Sequence, residues 1–192
     1  MTLFPALPPS TFTRDLVALN GFNTGQFRNW LLKPGMAYND PEKWWGNQGP
    51  RPSPHEGIDL VSYQDQNEQV HQLEPGTLIP LLYPGKIVRI FNDLVARTVV
   101  AGHDYRNTSG WVLHTFYAHM VVLTEVSPGL YPAPGEAVGT IASPAGSSGC
   151  PAHLHVSAAW VSPDTPPEKL RWQEFASKKI IAGIDPLTLI NT

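Results

Sequence analysis

This 192-residue chain predicts a mainly β fold, an antiparallel sandwich or barrel-like core with short peripheral helices. From residue 57 onward the apolar residues recur with a period near two, in the β-branched and aromatic runs IDLVSY, TLIPLLY, KIVRIF, VARTVVAG, WVLHTFYAHMVVLTEV, AVGTIA and HLHVSAAWV. Pro-Gly pairs at 75–76, 84–85, 128–129 and 134–135 punctuate those runs as turns. No amphipathic helix separates them, which argues against a doubly wound parallel sheet.

Taken in chain order, residues 1–50 form an N-terminal extension and 51–192 the main domain. The extension carries PALPPS, one short helix over Thr13 to Asn20 with Thr13 as its N-cap, and the stretch NWLLKPGMAYNDPEKWWGNQGPRPSP. Trp30, Trp44 and Trp45 lie close in sequence to the first histidine of interest, so they either cover an edge of the core or wall a groove. The runs after residue 57 give about seven strands. PGKIV and PGEAVGTI are weakly alike, hinting at a duplicated strand pair and a core of duplicated hybrid-motif type. A late helix is expected across Pro167 to Lys178, with Leu170, Trp172 and Phe175 on one face. GIDPLTLI closes the chain as a turn and edge segment.

Charged residues make up 15% and hydrophobic ones 42%, the composition of a globular chain. The formal charge of -3 and pI near 6.1 give no basic stripe for nucleic acid. No run approaches the ~18 apolar residues of a membrane span. Cys150 is the only cysteine, so no intramolecular disulfide forms. The start, MTLFPALPPSTFTRD, lacks the basic and apolar regions of a secretory signal. The expected compartment is therefore inside the cell, or outside it after removal of a leader or by another export route. The sequence leaves the oligomeric state open.

Three short stretches carry chemistry: PHEGIDL with His55 and Asp59, TFYAHM with His119, and PAHLHVS with His153 and His155. Two imidazoles and a carboxylate suffice to hold a zinc with one position open, and two further histidines can move protons beside it. On a strand, His153 and His155 share a face with Cα atoms roughly 6.5 Å apart, a spacing that suits one ligand and one neighbour. Two half-exposed surface histidines fit the same pattern. On a straight strand His55 and Asp59 would be roughly 13 Å apart, so they can meet only where the chain turns, and Gly57 is placed to make that turn. Pro52, Pro54 and Gly57 argue against a helix that would bring His55 and Asp59 together at i, i+4, and Glu56 reads as a solvated turn residue rather than a base. His119 alone fits a hydrogen-bonded core histidine; the order HxxxD, YxH, HxH makes the set specific.

HEGIDL, YAH and HLHV in that order resemble the M23 zinc metallopeptidases, the lysostaphin- and LytM-type endopeptidases that cut peptidoglycan peptides. GTLIPLLYPGKIVRI, VSPGLYPAPGEAVGTIASPAGSSGCPAHLHV and GIDPLTLI are similar to further parts of that family, so the likeness covers residues 50–160 and the tail. The resemblance implies zinc held by His55, Asp59 and His155, with His119 and His153 as catalytic groups. It implies a peptidoglycan peptide as partner, and the cell envelope or extracellular space as the place of action. Val156 and Ser157 stand where the family commonly has Phe and an acidic residue. GNQGPRPSP carries no Tyr before the first ligand, which speaks against glycyl–glycine specificity. By the same resemblance, Asn39 and Asn47 are the candidates for an upstream latency ligand on the metal.

Other readings are weaker. A cupin would need a glutamate where Ala159 stands. A glucose-type phosphocarrier has a similar HFGIDT motif, but after its hairpins and without HLH. A catalytically silent M23-like binding or regulatory module is the remaining alternative.

Overall fold

The computed structural model describes residues 7–22, 26–144 and 150–190. The first residues of PALPPS and the Gly/Ser-rich approach to HLH, at 145–149, lie outside the described residues. The fold is mainly β and antiparallel, with few short helices. Eleven strands are described: β1 Phe27–Leu31, β2 Ile58–Leu60, β3 Ser62–Asp65, β4 Val70–Gln72, β5 Leu78–Pro80, β6 Gly85–Asn92, β7 Arg97–Arg106, β8 Val112–Val122, β9 Ala137–Ile141, β10 Leu154–Val161 and β11 Ile181–Ile184. Every run of period two produces strand. β1 and β4 were not anticipated, because FRNWL and VHQ are short and carry no clear alternation.

One eight-stranded sheet runs in the order β11-β10-β8-β7-β6, with β2 alongside β10 and β9 joining β8 to β5. A second sheet of three strands has the order β1-β3-β4. Trp30 of β1 and Tyr63 of β3 pack into the same core as Val156, Trp160, Tyr117 and Leu113 of the large sheet. That dry core, rather than the hydrogen-bond ladders alone, holds the two sheets together.

The helices differ from expectation in detail. α1 spans Phe12–Leu19, one residue early, and Thr13 is not its cap. Thr13 is buried, and its hydroxyl accepts the Trp30 indole N–H at 3.0 Å, so a tertiary bond takes the side chain a cap would have used. The late helix is broken: a 3-10 turn at Pro167–Lys169, then α2 at Gln173–Ser177. Leu170 departs from helical geometry at ψ 85°, which lets Leu170, Trp172 and Phe175 all reach one apolar cluster over the second face of the large sheet. GIDPLTLI ends the chain as edge strand β11 and a 3-10 turn, and Ile190 bridges back to Ser10.

Candidate metal centre

Register explains why the key residues meet. On β10, Leu154, Val156, Ala158 and Trp160 enter the inter-sheet core. Period two then turns His155, Ser157, Ala159 and Val161 to the opposite face. Directly across from His155 lie Asp59 on β2 and Ala118 on β8. Asp59 is thus placed beside His155 by strand pairing, and residues 56–57 form the bend that brings His55 back over it.

Gly57 is required there for a different reason from the expected one. Its φ is not in the left-handed region, but a Cβ would lie 2.2 Å from the Val156 carbonyl oxygen and 2.4 Å from Ser157 Oγ. The glycine serves close approach to β10 rather than turn freedom.

His55, Asp59 and His155 form a buried cluster that could hold a metal ion. His55 Nε2 lies 3.1 Å from His155 Nδ1 and 3.2 Å from Asp59 Oδ1, and His155 Nδ1 lies 2.7 Å from Asp59 Oδ1. Zinc with bonds of about 2.0–2.2 Å and tetrahedral angles would hold its ligand atoms about 3.3 Å apart, so the set fits after a small expansion.

The outer contacts fit as well. His55 Nδ1–H donates to the Ala37 carbonyl at 3.0 Å, which leaves the Nε2 lone pair free. His155 is turned the other way: Ser157 Oγ, at 2.9 Å, can take the Nε2 proton and free Nδ1. Asp59 offers Oδ1 to the cluster while Oδ2 accepts the Trp44 indole N–H at 2.6 Å and faces the Arg51 guanidinium at 3.5 Å. Burial alone would raise the Asp59 pKa, but the imidazoles of His55 and His155 against its carboxylate hold it well below the usual carboxylate range.

The two remaining histidines flank this cluster. His153 is buried, its Nδ1–H donates to the Pro151 carbonyl at 2.8 Å, and its Nε2 lies 3.6 Å from Asp59 Oδ1. Burial pushes its pKa down to about 4 against the pull of Asp59, so the ring is neutral at pH 7 with Nε2 unprotonated. The rings of His119 and His153 meet edge to face at 4.7 Å between centroids, and those of His119 and His155 lie 6.0 Å apart. All five histidine and aspartate positions singled out in the sequence are therefore together. The HLH pair is buried, not half-exposed on the surface.

A cavity of about 220 Å³ opens over the cluster, walled by Trp45, Arg51, Glu56, Leu94, Cys150 and Trp172 as well as the five. A second cavity of about 450 Å³ shares His55, Glu56 and Trp172 with it and continues between Tyr38, Pro54 and Phe175. The three tryptophans part ways: Trp30 is core, Trp44 holds Asp59, and Trp45 lines the first cavity. Asn39 and Asn47 do not line the first cavity. Asn39 gives its backbone N–H to the His55 carbonyl, and Asn47 is exposed, its amide oxygen accepting the Gly49 N–H.

Sequence reading missed four contributors: Trp44 as a hydrogen-bond donor, Ala37, Ser157 and Asp93, whose Oδ1 faces His119 Nδ1 at 3.1 Å. Ser157 was legible, since it sits two residues after His155 on the same strand face. Trp44, Ala37 and Asp93 reach the site from distant segments and leave no local signal.

No family model matches the chain, and no curated protein matches it. Among solved structures, it is similar to the catalytic domain of lysostaphin, an antimicrobial peptidase from Staphylococcus simulans, at 20% identity and a TM-score of 0.47, over 81% of this chain and 90% of that one. It is similar to LytU at 18% identity and a TM-score of 0.48, over 86% of this chain and 95% of that one. It is also similar to the catalytic domain of the prophage-encoded M23 protein EnpA from Enterococcus faecalis, at 19% identity and a TM-score of 0.41, over 75% and 98%.

Proposed function

We propose that the chain is a zinc-dependent endopeptidase of the M23 type, which hydrolyses peptide bonds in peptidoglycan stem peptides or cross-bridges in the cell envelope or outside the cell. The observation that carries this reading is the convergence of His55 Nε2, His155 Nδ1 and Asp59 Oδ1 within 3.2 Å of one another, beside two further imidazoles on an open cavity. Two nitrogen donors and one carboxylate oxygen suit zinc. The order of the three sequence motifs supports the same class.

His55, Asp59 and His155 would hold the metal. Bound zinc would supply a Lewis acid for the scissile carbonyl and draw the pKa of water down toward about 7. His153, neutral and with Nε2 unprotonated, can accept a proton from water and release it to the leaving amine. His119, with Nδ1 engaged by Asp93, offers Nε2 to accept a proton and, once protonated, to stabilise the oxyanion. Trp45 and Trp172 wall the approach to the cluster. The N-terminal extension would contribute to that wall through Trp45, beside Trp44 on Asp59.

The test is zinc content by mass spectrometry together with hydrolysis of purified peptidoglycan. One zinc per chain and release of muropeptides are expected. His119→Ala and His153→Ala should each keep zinc and lose turnover by about 10²-fold or more, the scale of acid–base catalysis. Loss of zinc in either variant would make that residue a ligand instead. Stoichiometric zinc without hydrolysis would leave a silent binding module.

A further inference from the structure

We propose that Asp93 is a positioning residue that sets the orientation and tautomer of His119. The inference rests on the catalytic reading of His119 given above.

Strand periodicity on its own would send His119 the wrong way. Leu113 and Tyr117 of β8 lie in the inter-sheet core, and position 119 continues that alternation. Met120, which the alternation would turn to the other face, is found in the core instead. The reason is a bulge. Arg97 pairs with Met120 and Val99 with Tyr117, so Ala118 and His119 together stand opposite Thr98 alone. His119 takes the extra place in left-handed backbone, φ +63°, and its ring moves to the face carrying His155 and Asp59. Bulges of this kind re-aim side chains beside active sites.

Asp93 holds both parts of this arrangement. Its Oδ2 accepts the backbone N–H of His119 at 2.9 Å, the group that the bulge removes from the ladder. Its Oδ1 faces His119 Nδ1 at 3.1 Å. A carboxylate can only accept, so the imidazole proton sits on Nδ1 and the Nε2 lone pair faces the cavity. The carboxylate itself is fixed by Val95 N and Ala96 N, each 2.9 Å from Oδ1, and by Thr98 Oγ1 at 2.8 Å from Oδ2. Capping the β6–β7 turn needs only the first two of these bonds. The other three tie the turn to the bulge and to the ring. With its side chain 2% exposed, Asp93 meets almost no competing water.

The test uses the zinc-loaded full chain and long-range proton–nitrogen NMR of the histidine rings, with the His119 signals assigned by their absence in His119→Gln. Wild-type protein should show His119 protonated at Nδ1 and bare at Nε2. Asp93→Asn keeps an oxygen toward the Val95 and Ala96 N–H groups and sets its NH₂ against the His119 backbone N–H, so it removes the charge beside Nδ1 and opposes the bulge. That variant should shift His119 toward the Nε2–H tautomer and lower kcat by about 10–100-fold, with KM and zinc content unchanged. A wild-type ring protonated at Nε2 overturns the proposal, and this measurement stands even where Asp93→Asn fails to fold. Wild-type kcat in a folded Asp93→Asn also overturns it. An inactive wild type would count against the peptidase reading, and the tautomer would still decide the role of Asp93.

Discussion

The two faces of β10 are built from alternate residues of one strand and serve opposite ends. On one face Leu154, Val156, Ala158 and Trp160 are fully buried against both sheets. On the other, His155 and Ser157 are just as buried, yet they meet polar partners and a cavity. Burial alone therefore does not distinguish core from site. What distinguishes them is where the hydrogen bonds go.

His103 makes the point from the core side. It is buried like His155, but its Nδ1 is bonded to the Pro84 carbonyl at 3.1 Å and its Nε2 to Thr115 Oγ1 at 2.8 Å, in a chain that continues to Tyr117. Both nitrogens are used, and nothing is left for a ligand. In the cluster, each of His55 and His155 keeps one nitrogen directed at Asp59.

Four measurements can break or sharpen this contrast. His155→Ala should abolish zinc binding and hydrolysis outright while the chain still folds; zinc retained at one per chain would remove His155 from the ligand set. Trp160→Ala, further along β10 on the core face, should cost about 3–5 kcal/mol in urea unfolding and leave zinc stoichiometry intact below the transition. Loss of metal before loss of fold in that variant would mean the faces are not separable.

His103 should make stability pH-dependent. Burial holds its pKa at about 4, below the ordinary value of about 6.5. Between these values the unfolded chain binds the extra proton, so stability is full above about pH 6.5 and falls toward pH 4, by at most about 3 kcal/mol for this group. His103→Gln should flatten the slope in that window by up to one proton in urea melts made with chelator present, and an unchanged slope would assign the acid sensitivity elsewhere. The smallest effect is expected from Trp44→Phe, which keeps the ring and removes the N–H on Asp59. Zinc affinity should fall about 10–100-fold in chelator competition, with the melting temperature of the metal-free chain unchanged.

Much of this was legible in advance because it is local. Period-two runs and Pro-Gly turns announce strands wherever one face is buried, and β6 to β10 fall where the runs lie. The HLH spacing puts both imidazoles on one side of a strand whatever the partner strands are. The stretches that failed are those where a distant partner overrides a local preference. The Thr13 hydroxyl accepts the Trp30 indole N–H instead of capping a helix, Leu170 breaks the late helix so that three apolar side chains reach the sheet, and Gly57 answers to the carbonyl of Val156 rather than to its own turn.

The sequence by itself determined the β class, the alternation on β10 and the identity of the five side chains, since side-chain direction along a strand and donor chemistry follow from residue type and spacing alone. Only the tertiary structure decided that His119 joins them. The alternation of β8 points that residue into the core, and a bulge opposite Thr98, held by a carboxylate twenty-six positions away, turns it back. Such a reversal depends on strand register and on a hydrogen bond across the sheet, and neither is written in the residues around His119.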